Sequence, residues 1–174
     1  MIAYQHPIWG FSLERPRYWQ ELHPSEIPPR LRSLSQTLLL ALAEPSQWGG
    51  RNAIFLVMAE RFNQERIPPD ATVLRQYADD FFAAEHALEI RKVRREIHEN
   101  SAPDGTVRFR AHYQTRLPQS RATLQFFITV IGKPHDARLF TLTCMIPEDE
   151  FGHVTSDCFQ VSNSFMLHEE AAAQ

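Results

Sequence analysis

Basic side chains are concentrated in two neighbouring segments in the middle of the chain, and they are its most distinctive candidates for chemistry. This basic cluster consists of Arg91, Lys92, Arg94, Arg95, Arg108 and Arg110. If the two segments pair as antiparallel strands, several of these cations occupy neighbouring positions on one sheet face. Like charges in that arrangement repel one another unless carboxylates or a partner neutralise them. The pattern therefore predicts either a binding face for an acidic protein surface or a solvated face with its own counter-ions.

The residues assigned to the first alternative are Arg91, Arg94, Arg108 and Arg110. The second alternative uses three nearby glutamates as counter-ions, namely Glu89, Glu96 and Glu99. We favour the solvated face, because these carboxylates lie within or beside the same basic segment. Successive exposed aromatics, which single-stranded nucleic acids need for stacking, do not interleave with the arginines, so nucleic acid is not a predicted partner.

An apolar row offers a second candidate surface. Phe127 and Ile131 have the same parity in a predicted strand and alternate with Leu124, so they share one sheet face. Most aromatic residues of the chain are needed for a core, but a row that faces a groove instead of a helix marks a partner site. Because the net charge is −3 and the glutamates can neutralise the arginines, we favour this groove over the basic cluster.

Motifs for catalysis and nucleotide binding do not occur in the sequence. It has no GxxxxGK or GxGxxG phosphate loop, no GxSxG elbow and no HExxH pair. Asp149, His153 and Asp157 follow one another at helical spacing and would share a helix face, as metal ligands can. A solvated helix face explains them more simply. We therefore predict no catalytic residue, no cofactor and no metal site, with a small metal-dependent enzyme as the least favoured alternative.

Composition and charge restrict the class of protein further. A net charge of −3 and a pI near 6.2 give no global attraction to nucleic acid or to an anionic membrane. The N-terminus has no basic and apolar leader, and the apolar run 37–43 is too short to span a bilayer. We expect a cytoplasmic protein without an integral membrane segment. Cys144 and Cys158 are accordingly expected to be reduced and packed in the core.

The predicted elements that must position these residues give an α+β fold. Strands are predicted at 8–15, 53–62, 88–100, 106–116, 121–132 and 138–147. Helices are predicted from Asp70 through Phe82 and over 148–167, and turns at Asp104-Gly105 and 133–136. We expect one domain over 1–174, with loose tails at 1–7 and 168–174. Its antiparallel sheet would have about six to seven strands, flanked by two main helices in an α/β/α-like sandwich.

Packing motifs lie near the two ends of the chain. Gly10-Phe-Ser-Leu13, followed by Pro16 and Trp19, is similar to the opening strand of the PsbP-like superfamily, which includes DcrB-type bacterial proteins and a Ran-binding import factor. The run 139–151 and the tripeptide 163–165 are similar to its last strand and closing helix. The resemblance covers nearly the whole chain, and its motifs are packing motifs without a catalytic signature.

The resemblance implies a PsbP-like fold, while function differs from branch to branch of the superfamily. We predict a non-enzymatic protein-binding module, a chaperone or adaptor for one client protein. The alternative is a PsbP-like accessory or assembly protein of a photosynthetic membrane complex.

Overall fold

The computed structural model describes residues 1–27, 36–45, 53–61, 72–77, 79–80, 91–103, 105–116 and 123–168. The strands in these ranges are β1 (Ile2–His6), β2 (Phe11–Arg15), β3 (Gln20–Glu21), β4 (Thr37–Ala43), β5 (Ile54–Arg61), β6 (Arg91–Ser101), β7 (Val107–Arg116), β8 (Thr123–Gly132), β9 (Arg138–Pro147) and β10 (Met166–Leu167). Residues 72–77 and 79–80 are helical and are called α1. The second helix, α2, is Phe151–Ser164, and short 3₁₀ turns lie at Pro24–Glu26 and Glu148–Glu150.

Two antiparallel sheets organise the strands. The larger sheet has seven strands in the order β3-β4-β5-β9-β8-β7-β6, and the smaller has three in the order β1-β2-β10. Each pairing in both sheets is antiparallel. The larger sheet confirms the predicted α+β class and its six to seven strands. Strand β9, predicted over exactly its observed range, lies inside the sheet and is buried at all ten positions.

Both faces of the larger sheet are covered. On one face α2 and the smaller sheet pack over β5 and β9, and Phe11, Phe140 and Phe165 meet there with ring centroids 5.1–5.6 Å apart. On the other face Leu74 of α1 packs against apolar residues of β7, β8 and β9. Burial on both sides explains why β5 is apolar at consecutive positions instead of alternating with polar residues. The arrangement is the predicted α/β/α-like sandwich.

The expected loose tail at residues 1–7 is wrong, because β1 pairs with β2 over its whole length, from Ile2↔Arg15 to His6↔Phe11. Gly10 makes the connecting turn with φ +58°, and its N–H donates to the His6 carbonyl at 3.0 Å. The predicted strand at 8–15 therefore begins only at Phe11. At the other end His168 is tied to Gly10, its N–H donating to that carbonyl at 2.8 Å. Residues 169–174 lie outside the described part.

The predicted helix over 148–167 is too long at both ends. Its first three residues form a 3₁₀ turn, and α2 ends at Ser164 because Phe165 is extended, with φ −62° and ψ 126°. This conformation buries the Phe165 ring completely and lets β10 pair with β2. The predicted turn between β6 and β7 is confirmed at Gly105, whose φ is +82°, while Asp104 lies outside the described residues.

Candidate functional site

The even-numbered side chains of β7 face α2, and they hold it along its length. Arg108 Nη1 donates to the Ser162 carbonyl at 3.0 Å and Arg108 Nη2 to the Phe165 carbonyl at 2.5 Å. At the other end Gln114 Nε2 donates to Glu148 Oε1 at 3.0 Å. Helix α2 therefore runs antiparallel to β7, with its C-terminus beside Arg108.

Arg108 stabilises the C-terminus of α2 in a way that the sequence did not reveal. The last turn of this helix has no basic residue of its own. Carbonyls at a helix C-terminus lack partners within the helix and carry partial negative charge, so a cation there is favourable. Strand β7 supplies that cation through Arg108. This residue, which was predicted to contact a partner, therefore stabilises the fold.

A cleft of about 280 Å³ lies between α2 and strands β7 and β8. Its residues come from four strands and the helix, and they are Phe55, Arg110, Ala111, His112, Phe127, Ile128, Thr129, Leu142, Cys144, Cys158, Phe159 and Ser162. The cleft forms because α2 packs its buried residues, including Val154 and Val161, over β5 and β9. The neighbouring rows of β7 and β8 are thus only partly covered. A concave, largely apolar site with few polar groups is the usual form of a binding pocket.

Three rings stack at the rim of the cleft. His112 lies parallel to Phe127, with centroids 4.3 Å apart and an interplanar angle of 10°. Phe159 of α2 meets Phe127 edge-on at 4.8 Å and is 39% exposed. His112 Nε2 lies 2.8 Å from Gln125 Oε1, which fixes the imidazole over the sheet. The rim therefore presents an ordered aromatic surface that is open to solvent at Phe159.

Of the two apolar residues predicted for a groove, the structure places only Phe127 in the cleft. Ile131 shares its face but is completely buried, in one cluster with Phe11 and Phe165. Residues of the smaller sheet and the C-terminal end of α2 bury Ile131 in this cluster, whereas Phe127 is only partly buried against it. Ile131 is therefore a core residue, and its assignment to a partner surface is wrong.

The four arginines predicted as partner contacts are not brought together. Arg108 binds the end of α2, and Arg110 lines the cleft, where its Nη2 donates to Asn163 Oδ1 at 2.5 Å. Arg91 stands opposite Arg116 in the β6–β7 register. Arg94 falls in the register shift between Lys92 and Arg95. The side chains of Arg91 and Arg94 lie outside what the structure describes, so a contact there stays a prediction.

Phe159 is the exposed cleft residue that the sequence did not reveal. The helical stripe predicted for α2 consisted of Phe151, Val154, Cys158, Val161 and Phe165. Phe159 is a large apolar residue that lies off this stripe, beside Cys158. A Phe outside the buried stripe of a helix does not face the core. The position of Phe159 relative to the stripe was therefore sufficient to predict an exposed apolar residue.

The expectation of reduced cysteines is wrong, because Cys144 and Cys158 form a disulfide. Cys144 is in β9 and Cys158 in α2, both 2% exposed, with Cα atoms 6.2 Å apart. This spacing lies within the ordinary range for a disulfide. It arises because α2 doubles back over β9, the strand that precedes it. The bond fastens the helix to the sheet at the wall of the cleft.

Replacing both cysteines with Ala is expected to lower the free energy of unfolding by about 3 kcal/mol, since a bond between residues 14 apart closes a loop of roughly that size in the unfolded chain. Urea titrations of both proteins, with and without reductant, measure the difference. Reductant should weaken the wild-type protein and leave the double variant unchanged. Two thiols that react in the native, unreduced protein would contradict the bond.

The three residues whose spacing would suit metal ligands, Asp149, His153 and Asp157, do not all lie on one helix. Asp149 belongs to the 3₁₀ turn and not to α2, so it does not continue the helix face of Asp157. Asp157 instead accepts a hydrogen bond from the Tyr18 hydroxyl. Burial, and next this hydrogen bond, raise the pKa of Tyr18 to about 12. The His153 side chain lies outside the described residues, among which no group of His, Cys, Asp and Glu converges to hold a metal.

Solved structures with the same fold come from several bacteria. The cyanobacterial PsbP protein CyanoP of Synechocystis sp. PCC 6803 superposes with a TM-score of 0.60 at 14% identity, over 96% of this chain and 92% of that one. LpqN, involved in cell envelope biogenesis of Mycobacterium tuberculosis, gives 0.62 at 12% identity, over 96% and 90%. A putative regulator of unknown function from Pseudomonas aeruginosa, PA94, gives 0.54 at 15% identity, over 84% and 95%.

These superpositions show a PsbP-like fold, as the two ends of the sequence predicted. No protein-family model and no curated protein matches the sequence. At identities of 12–15% the similarity shows the fold alone, since one fold hosts many functions. Across the described residues, none of the helices has the length and apolar character needed to cross a membrane.

Proposed function

We propose that the protein is a non-enzymatic binding module, a chaperone or adaptor, that receives an apolar anchor of one partner protein in the cleft beside α2. The observation that carries this proposal is the open aromatic rim, where Phe159 is exposed above Phe127 and an apolar cavity. A few buried apolar or aromatic anchors provide most of the energy of a protein interface. The cleft offers a place for one such anchor.

The arrangement of the arginines supports the cleft over the basic cluster as the binding site. Arg108 is committed to the carbonyls of α2, and Arg110 lies at the cleft itself. An interface built on an apolar anchor in the cleft involves few charges besides that of Arg110, so its affinity should fall by well under tenfold with salt. A fall of tenfold or more between about 50 and 200 mM salt would instead favour a charged face.

Phe159→Asp is expected to abolish stoichiometric co-purification of the partner from the native host, because a carboxylate at the rim opposes burial of an apolar anchor. Ile8→Asp is the matched control, since Ile8 is 74% exposed in the β1–β2 turn and does not line the cleft. The partner should remain with this control. Retention of the partner by Phe159→Asp would contradict the proposal, as would recovery of no stoichiometric partner by the wild-type protein at low salt.

The location of the protein also stays a proposal. Disulfides persist in oxidising compartments, so the bond between Cys144 and Cys158 supports an oxidising compartment over the cytoplasm predicted from the sequence. Fractionation of the native host tests this point. It also tests the alternative of an accessory protein of a photosynthetic membrane complex, which a freely soluble pool in a non-photosynthetic host would exclude.

A further inference from the structure

Three arginines lie on the face of the larger sheet against which α2 and the smaller sheet pack, namely Arg108, Arg110 and Arg138. Their hydrogen-bond acceptors differ. Arg138 forms an ion pair with Asp136 and donates to the carbonyls of Trp9 and His168. Arg108 donates to two carbonyls at the end of α2. Arg110, by contrast, has a single described acceptor, the Asn163 side-chain oxygen, and no carboxylate partner among the described residues.

The guanidinium of Arg110 is only partly hydrated and only partly paired. It is half-buried, and burial lowers its pKa from the ordinary value. Its Nε is buried and has no hydrogen-bond partner among the described residues. A buried donor left without an acceptor is costly, and the cost is larger for a charged group. A ligand that brings negative charge to this guanidinium would offset part of the desolvation of its charge.

The other polar side chains that line the cleft already have hydrogen-bond partners. Thr129 Oγ1 and Ser162 Oγ lie 3.1 Å apart, and His112 is held by Gln125. At about 30 Å³ per water in the liquid, the volume of 280 Å³ corresponds to about nine waters, or one amino-acid residue with its neighbouring backbone. The cavity thus suits a small ligand with an apolar body and one anionic group near Arg110.

We propose that the cleft recognises the free carboxyl terminus of the partner chain, with an apolar last residue in the cavity and its carboxylate on Arg110. The inference rests on the proposed function and names the chemistry of the anchor. In a C-terminal residue the side chain and the carboxylate branch from one carbon, so a single residue meets both the apolar walls and the cation. An internal acidic residue would need a second residue to fill a cavity of this size.

The test measures binding of N-acetyl-leucyl-phenylalanine and of its C-terminal amide to the full oxidised chain by calorimetry. The acid should bind about tenfold or more tightly than the amide, because hydrogen bonds to charged groups are the stronger ones. Arg110→Gln should bring the ratio of acid to amide affinity close to one. Arg110→Lys, which keeps the charge, should retain part of the discrimination.

Equal binding of acid and amide by the wild-type protein, or binding of neither, would overturn the inference. Octanoate serves as a third probe, and affinity equal to that of the peptide acid would overturn it in favour of a small organic acid. The Phe159→Asp co-purification experiment is independent of these probes. If Phe159→Asp loses the partner while the wild-type protein binds the acid and the amide equally, the cleft binds a partner without recognising a free carboxyl terminus. The proposed function then holds without this inference.

Discussion

Replacing Arg138 with Met is expected to lower the free energy of unfolding by about 3–5 kcal/mol, the usual cost of removing one member of a buried ion pair. Arg138 is 2% exposed, and its guanidinium holds Asp136, the Trp9 carbonyl and the His168 carbonyl together. The variant leaves all three acceptors without this donor. Denaturant titration at neutral pH measures the loss.

Arg138→Lys keeps the charge but not the planar fork of donors. It should therefore lower the free energy of unfolding, but by less than Arg138→Met does. The double variant Asp136→Ala/Arg138→Met should be less destabilised than the sum of the single variants, because it leaves no unpaired carboxylate. A loss below about 1 kcal/mol for Arg138→Met would show that the guanidinium does not hold these segments together.

A fall in pH should weaken the ion pair between Asp136 and Arg138. Burial alone would raise the pKa of Asp136, but hydrogen bonds from the Arg138 side chain and backbone N–H, with the Arg138 charge, hold that pKa below its ordinary value of 3.8. Asp136 therefore contributes stability above the unfolded-state pKa, and this contribution is lost as pH falls through the lower folded-state pKa. The difference between wild type and Arg138→Met should shrink accordingly below about pH 4.

Trp19→Ala is expected to lower the free energy of unfolding by about 3–5 kcal/mol, the range for truncating a buried large aromatic residue to Ala. Trp19 is 2% exposed and packs against Phe55, with ring centroids 6.3 Å apart. It follows β2 at the turn beginning at Pro16, whose carbonyl accepts from the Trp19 N–H at 3.2 Å. The indole thus anchors the segment that leads from the smaller sheet to the larger one.

Trp19→Phe provides the matched control for this prediction. The Trp19 Nε1 is buried without a hydrogen-bond partner among the described residues, so Phe removes an unpaired donor while keeping most of the apolar area. Trp19→Phe should therefore cost much less than Trp19→Ala in the same denaturant titration. Losses that are equal for the two variants would show that the aromatic body is not what stabilises this position.

Strand pattern and turn chemistry predicted most of the larger sheet, because they are local properties of the chain. Strand β9 was predicted over its observed range, and β7 and β8 to within two residues of theirs. Strands β1 and β10 were missed, since five and two residues give too little periodicity to distinguish a strand. Both exist because β2 lies between them and provides hydrogen bonds on each side.

The cleft was harder to predict, because alternation assigns a residue to a face but does not say what covers that face. Phe127 and Ile131 were correctly placed in one row, yet only the covering elements make one a rim residue and the other core. The same holds for Arg108, whose role depends on where α2 ends. The disulfide likewise follows from the path of α2 over β9 and not from any spacing in the sequence.

Photo-crosslinking tests whether the cleft beside α2 is the docking site for a protein partner. Benzoyl-phenylalanine is introduced at position 159, at the rim, and in a second protein at position 8, which is exposed outside the cleft. Illumination in the native host should join one partner to position 159 and none to position 8. A crosslink from position 8 with none from position 159 would contradict it.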